Sequence, residues 1–353
     1  MKYRAAQTLV YSRDGEALLG CNFLAKSVFA CDPDLISFLG GLTEWSDFDS
    51  VAEPMGMTTD DARATIERLV EVCAIVEEGS VLAEAEEEFR SGWKWGLPAA
   101  MMHFCVQNPD HMGLEESQAL QRQKAATGQH PVLHTRNGGG HRIVKPLPGA
   151  RNGNELIELM ARRRTVRSAG RPMITLKQLS DCLFAGMGIT GETTNGIVTL
   201  PLGMTPSGGA RNPYEAYVYA INVEGLAPGF YHYSAADHDL GLVETNRMPK
   251  PSELVGGQDW ADEMPCMILL CASLERTMWK YDDPNGYRVV LIEAGHIGQN
   301  IMLAATQNGL TACPTAALSH SAIRECLSLK GLMNTPVYAL TLAVPGVENS
   351  IAA

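Results

Sequence analysis

Hydrophobic and polar positions in the first ninety residues fall into short alternating runs and then into helical spacing. "AAQTLVYS" (5–12) and "EALLGCNFLA" (16–25) read as strands. "CDPDLISFLGGL" (31–42) predicts a helix with Asp32 as its N-cap and Pro33 at its first position. A second, short helix is expected in "SDFDSVAEPMG" (46–56), stopped by Pro54 and Gly56. In "TTDDARATIERLVEVCAI" (58–75), Ile66, Leu69, Val70 and Cys73 recur at i, i+3, i+4 and i+7, so a third helix follows. "AIVEEGSVLAEAE" (74–86) reads as a hairpin wing, which makes residues 1–90 a winged-helix-like unit.

Residues 91–150 break this rhythm and are expected to form a long structureless connector or arm. His103, His111, His130, His134 and His141 lie there without HxxxH or HExxH spacing, so solvated loop histidines are expected rather than a metal site. From 151 to 353 helices and strands alternate. Helical patterns occupy "GNELIELMARRR" (153–164) and "TLKQLSDCLFAGMG" (175–188). "YEAYVYAINV" (214–223) is a strand, and "GFYHYSAADHDLGLVE" (229–244) a hairpin. "MPCMILLCAS" (264–273) is a buried strand that includes Cys266 and Cys271, and "TPVYALTLAVPG" (335–346) closes the domain. Between them, Tyr287–Asn308 reads as a long core helix through Val289, Val290, Ile292, Ala294, Ile297, Ile301, Leu303 and Ala304. Glu293, His296, Gln299 and Asn300 interrupt it, and Gly295 and Gly298 each cost about 1 kcal/mol relative to Ala.

Composition narrows the class. The 353 residues are 45% hydrophobic and 19% charged, as in an ordinary globular protein. No signal-peptide pattern and no membrane-length apolar run is recognised, and nine cysteines without a CxxC pair suit a reduced, cytoplasmic protein. The net charge of −12 is uneven: residues 1–90 carry 7 Lys and Arg against 18 Asp and Glu, a balance of −11. Such a unit repels nucleic acid and suits a peptide or protein partner; a merely solvated acidic surface is the plainer alternative. No strand–GxGxxG–helix and no GxxxxGK[ST] segment occurs, so neither a Rossmann nor a P-loop nucleotide site is expected.

Three stretches carry candidate chemistry. "RRRTVR" (162–167) offers guanidinium forks and the Thr165 hydroxyl to a phosphate, or merely complements a helix C-terminus. "PSGGARN" (206–212) places Pro206, Ser207, Gly208, Gly209 and Asn212 before a strand, where the glycines let backbone press against a flat ligand. Glu293, His296 and Asn300, at i, i+3 and i+7, share one stripe of the long helix, flanked by Gln299.

Together these stretches resemble a known family. "RRRTVRS" resembles the RRSxR element of FMN-dependent nitroreductases, with Thr165 in place of the usual Ser. "PSGGARNPYEAYV", "GFYHYSAADHDLGLV" and "KYDDPNGYRVVLIEAGHIGQNIMLAATQNGL" are similar to three motifs of the SagB-type branch. That branch includes the thiazoline/oxazoline dehydrogenases, and the likeness covers most of residues 150–345. "LTACPTAALSHSAI" departs from the family's glycine-containing pattern.

The resemblance implies an α+β, nitroreductase-like fold: a mainly antiparallel sheet flanked by helices, dimeric, behind the winged-helix-like front unit. It implies FMN held by Arg163, Arg164, Thr165, Arg167, Pro206, Ser207, Gly208, Gly209, Asn212 and Gln299, with no metal. The stripe would face the flavin or the dimer seam, with Glu293 and His296 in structural hydrogen bonds, and Gly295 and Gly298 would let a neighbouring helix or the flavin ring approach closely. Lys280 and Tyr281 become the catalytic pair, a lysine made a weaker base by burial or a tyrosine beside an ammonium accepting a proton. The implied reaction is oxidation of a modified residue in a ribosomally made precursor peptide, azoline to azole first, with molecular oxygen reoxidising FMN. Expected partners are that peptide, a second copy of the chain and a cyclodehydratase complex, with no nucleic acid and no membrane. Two alternatives stay open: an NAD(P)H-dependent reductase of nitro, quinone or dehydroamino acid groups, and a non-catalytic peptide-binding scaffold.

Overall fold

The structure is a computed structural model that describes residues 1–109, 113–127, 153–170 and 173–346. Its front unit begins with β1 (Lys2–Ala5), followed by an antiparallel meander of β2 (Leu9–Asp14), β3 (Ala17–Asn22) and β4 (Ser27–Cys31). Helix α1 (Pro33–Gly41) starts as its sequence dictates, with the Asp32 carboxylate accepting from the Leu35 amide at 2.7 Å. After β5 (Ser46–Asp47), α2 (Phe48–Ala52) runs into a 3-10 turn and stops at Gly56, which is left-handed. Helix α3 (Thr59–Glu71) buries Ala62, Ile66 and Leu69, and β6 (Ile75–Glu77) returns to pair with β1.

The wing does not follow. Residues 81–92 form α4 (Val81–Gly92), capped by the Ser80 hydroxyl on the Ala83 amide. Ala, Leu and Glu are strong helix formers, and the helix also seats Glu86 where Arg4 needs it. Buried Glu86 bonds buried Arg4 at 2.7 Å and accepts from the Gln7 and Thr8 amides and the Thr8 hydroxyl.

The segment expected to be structureless carries α5 (Gly96–Cys105) and α6 (Leu114–Thr127). Its apolar residues find a core: Ala99, Ala100 and Phe104 are buried with Phe23 and Trp95. His103 is no solvated loop histidine. It is buried, with Nδ1 3.1 Å from the Tyr287 hydroxyl and Nε2 3.0 Å from Gln107. Burial, then the nearby His320 and Arg324, lower its pKa to about 3. His111, His130, His134 and His141 lie outside the described residues.

The second unit opens with α7 (Glu155–Arg162) and α8 (Leu176–Met187), then the hairpin β7 (Ile189–Thr194) and β8 (Thr199–Gly203). Next come β9 (Tyr214–Ala220), β10 (Gly229–Ser234), β11 (Asp239–Val243), α9 (Pro251–Leu254), β12 (Cys266–Ser273) and α10 (Leu274–Met278). The chain then runs through α11 (Asn285–Gln307), β13 (Thr311–Thr315), α12 (His320–Cys326) and β14 (Asn334–Ala343). Six strands form one antiparallel sheet in the order β11-β10-β9-β12-β14-β13.

Strand β12 explains the two-sided core. Cys266, Ile268, Leu270 and Ala272 face the cluster containing α8 and α11, whereas Met267, Leu269 and Cys271 face the one containing α9 and α12. With both faces covered, the strand reads as a continuous apolar run. Helix α11 is long and apolar enough to cross a bilayer, yet it packs along α8 and the sheet. Its Ile292, expected in the core, is 51% exposed.

Candidate functional site

The loop between β8 and β9 is held in a strained shape. Gly209 (φ 62), Ala210 (φ 53) and Asn212 (φ 45) all occupy the left-handed region, where non-glycine residues are uncommon. Helix α11 grips this loop from behind. Glu293 accepts from the Gly208 amide at 3.3 Å and from the Ser207 side chain. Two turns on, Asn300 donates to the Thr205 hydroxyl at 2.9 Å, and that hydroxyl donates to the Gly186 carbonyl at 2.7 Å. Burial raises the Glu293 pKa, and its bonds to Ser207 and Gly208 oppose the shift.

Two of the four polar interruptions of the long helix therefore anchor the loop. His296 is exposed, and half-buried Gln299 takes no part in the clamp. Gly298 makes room for a strand residue, since a Cβ there would lie 2.5 Å from the Tyr338 ring. Gly295 is exposed, and no atom would lie within 4 Å of a Cβ there. Gly208 is required by α11 itself, because a Cβ would come 2.5 Å from Val289 Cγ1.

The structure brings Lys280 and Tyr281 onto this loop. They follow α10, and a Cβ on Gly209 would lie 2.6 Å from both Lys280 Nζ and the Tyr281 hydroxyl. Lys280 is exposed in the single chain, not buried as expected. The lysine head and the phenol stand side by side, with Nζ 5.2 Å from the Tyr281 ring centroid. Two residues that the sequence reading did not single out complete the junction. Arg211 donates to the Gly209 carbonyl at 3.1 Å and lies 5.1 Å over Trp279, and Arg276 donates to the Asn212 carbonyl at 2.8 Å. Arg276 also pairs with Glu215, which bonds His232 at 2.7 Å. A cavity of about 300 Å³ lies beside the loop, lined by Thr205, Asn212, Glu215, His232 and Glu293 among others.

The arginine segment lies elsewhere. Thr165 bridges Ala312 on the outer edge of β13, and the Val166 amide donates to the Ala312 carbonyl at 3.3 Å. Arg164 turns back on its own helix end, donating to the carbonyls of Ala161 and Arg163 at 2.7 and 2.8 Å. Arg167 lies 5.9 Å over the Trp260 ring. Half-buried Arg163 makes no side-chain hydrogen bond among the described residues, which leaves its donors free for an anionic group. Ala312 shares a row with Leu342, Cys266 and Ala220, whereas the loop enters β9 six residues away at Tyr214. Three strand spacings and six residues of rise put the two features roughly 25 Å apart. Within one chain they cannot grip the same phosphate.

Comparison with known proteins matches residues 160–344 to the nitroreductase family. A protein of Methanocaldococcus jannaschii that carries the name nitroreductase is 33% identical over 177 residues, 50% of this chain and 85% of its own length. The trifolitoxin-processing protein TfxB of Rhizobium leguminosarum bv. trifolii is 31% identical over 147 residues, 39% of this chain and 38% of TfxB. The microcin B17-processing protein McbC of Escherichia coli is 32% identical over 130 residues, 35% of this chain and 47% of McbC. This chain thus spans less than half the length of those two relatives. The antiparallel sheet with helices on both faces, the four ordered motifs and the family match agree, and the chain belongs to the nitroreductase family.

Proposed function

We propose that this protein is an FMN-dependent oxidoreductase that oxidises an azoline to an azole in a ribosomally made precursor peptide. The observation that carries the reading is the packing of Lys280 and Tyr281 on Gly209, which joins a proton-accepting pair to a flat, glycine-lined loop. Two named peptide-processing relatives support the substrate class. FMN is the cofactor generally used in the family, and this chain offers it the Arg163 guanidinium, which makes no side-chain hydrogen bond among the described residues, and a loop whose glycines expose backbone. When bound, FMN supplies the two-electron acceptor. Arg163, Arg167 and Thr165 would hold the phosphate, and residues 206–209 with Asn212 would lie against the ring system.

The azoline ring gives up one hydrogen as hydride and another as a proton. Lys280 is the base that takes this proton at Nζ, and the Tyr281 hydroxyl orients it. The distance between the arginines and the loop makes a dimer part of the reading, with the loop of one copy reaching the arginines of the other. Ile197, Leu202, Met204 and Ile292 are exposed by 76, 44, 45 and 51%, an apolar surface that a second copy would cover. The acidic front unit, residues 1–90, recognises the peptide. A groove of about 670 Å³ between β4 and α3, lined by Val28, Glu67, Arg68 and Glu71, suits an extended basic segment added to the strand edge. A cyclodehydratase that makes the azoline is the expected partner enzyme.

A model peptide bearing one thiazoline tests the reaction: the purified protein should remove two hydrogens, read by mass spectrometry. Arg163→Ala with Arg167→Ala should release FMN, because charge-assisted bonds of roughly 1.5–3 kcal/mol each are lost. An unchanged thiazoline with flavin bound would refute the oxidation. The relative named a nitroreductase favours a second reading, an NAD(P)H-dependent reductase. Anaerobic bleaching of the flavin by NAD(P)H separates the two.

A further inference from the structure

We infer that Trp95, on the segment leading out of the front unit, is a positioning residue for Lys280 and Tyr281; this rests on the proton-transfer reading above. Trp95 immediately precedes α5 and is fully buried. Its indole Nε1–H donates to the Tyr281 carbonyl at 2.8 Å, across 186 positions of sequence.

That carbonyl has a local reason to need a donor. The amides of Lys280 and Tyr281 both return to the Thr277 carbonyl, at 3.1 and 3.0 Å, which tightens the end of α10. The Tyr281 carbonyl lies past that end, in no helix of its own, and a buried indole N–H in turn requires an acceptor. Each group satisfies the other. The bond fixes the main chain from which both reactive side chains project, while Gly209 lies against the ends of those side chains.

The indole itself is held in place. Gly286 lies against it, and a Cβ there would come 2.9 Å from Nε1 and 3.0 Å from Cε2. Trp93 and Tyr287 pack on its ring with centroids 5.7 Å away, and Tyr287 is bonded in turn to His103. Residues 93–105 thus do more than link two units. They complete the site from the front half of the chain.

Kinetics of the full-length, FMN-loaded protein on the thiazoline model peptide test this. Trp95→Phe keeps the packing ring and removes the donor. It should lower kcat by about 10- to 100-fold, the scale of a reactive group misplaced by an ångström, with KM and flavin content unchanged. Gly286→Ala, which pushes a methyl against the indole, should reproduce the loss. Phe230→Leu, in the core on the other face of the sheet, loosens packing away from the pair and should keep kcat. In a Lys280→Ala, Tyr281→Phe background, Trp95→Phe should cost almost nothing more, because the pair it positions is gone. Equal losses in the Phe230 and Trp95 variants would reduce the effect to general destabilisation and overturn the inference. If Lys280→Ala and Tyr281→Phe are inactive while Trp95→Phe turns over normally, this inference falls alone. If those two variants turn over normally, the proton-transfer reading falls and takes this one with it.

Discussion

Gly209→Ala isolates the contact on which the proposed chemistry depends. Gly209 has φ 62 and ψ 22, a left-handed conformation that costs an L-residue roughly 1–2 kcal/mol. The new methyl carbon would lie 2.6 Å from Lys280 Nζ, 2.6 Å from the Tyr281 hydroxyl and 2.8 Å from Lys280 Cδ. These are the far ends of long side chains, so they move aside rather than break the fold. Restoring ordinary contact displaces them by about an ångström, on the scale that costs an enzyme up to about 100-fold in rate. Melting temperature should fall by only a few degrees, roughly what 1–2 kcal/mol produces in a chain of this size. The assay pairs thermal unfolding with kcat and KM on the thiazoline peptide, at a temperature well below the melt. Gly208→Ala is the contrast, since its methyl meets Val289 on α11 and not the reactive pair. Wild-type turnover by Gly209→Ala, with the expected small loss of stability, would refute the reasoning.

Three further outcomes follow from packing and charge. His103 and His320 are buried with pKa values lowered to about 3 and about 4, so the unfolded chain binds more protons than the folded one below pH 6.5. Stability is complete above pH 6.5 and declines as pH falls towards those values, by roughly 2 kcal/mol per histidine at pH 5. Urea unfolding at pH 7.5 and pH 5 measures it, and His103→Gln should flatten the dependence; an equal slope in both proteins would contradict the assignment. Glu86→Gln leaves the buried Arg4 guanidinium without its counter-charge and should cost about 3–5 kcal/mol in chemical denaturation, against which a loss under about 1 kcal/mol would count. Gly295→Ala should stabilise an isolated helix by about 1 kcal/mol, yet weaken a dimer whose seam runs along that face. Analytical ultracentrifugation reads the difference, and unchanged dimerisation would exclude Gly295 from the seam.

Local order was set by the chain itself. Asp32 and Pro33 start α1, the spacing of Ile66 and Leu69 places the buried face of α3, and the short apolar run 266–272 reads as a buried strand. Each depends on residues within a few positions of one another, so each is legible before folding. Helix α4 was legible too, in Ser80 and the Ala, Leu and Glu that follow, but a hairpin wing was the wrong template for it. Its tertiary role, Glu86 on Arg4, spans 82 positions and leaves no local trace. The same holds for the site. The motifs name Gly209, Lys280 and Tyr281, but only the order of β9 and β12 in the sheet carries α10 onto the loop. That same order sends Thr165 to the far edge on β13, away from the glycines it was grouped with. Trp95 carries no motif at all, and it matters here because a buried N–H must find an acceptor and the fold presents the carbonyl of Tyr281. Sequence determines which groups are available and how each segment begins and ends; which of them meet is decided by strand order and by the pairing that burial demands.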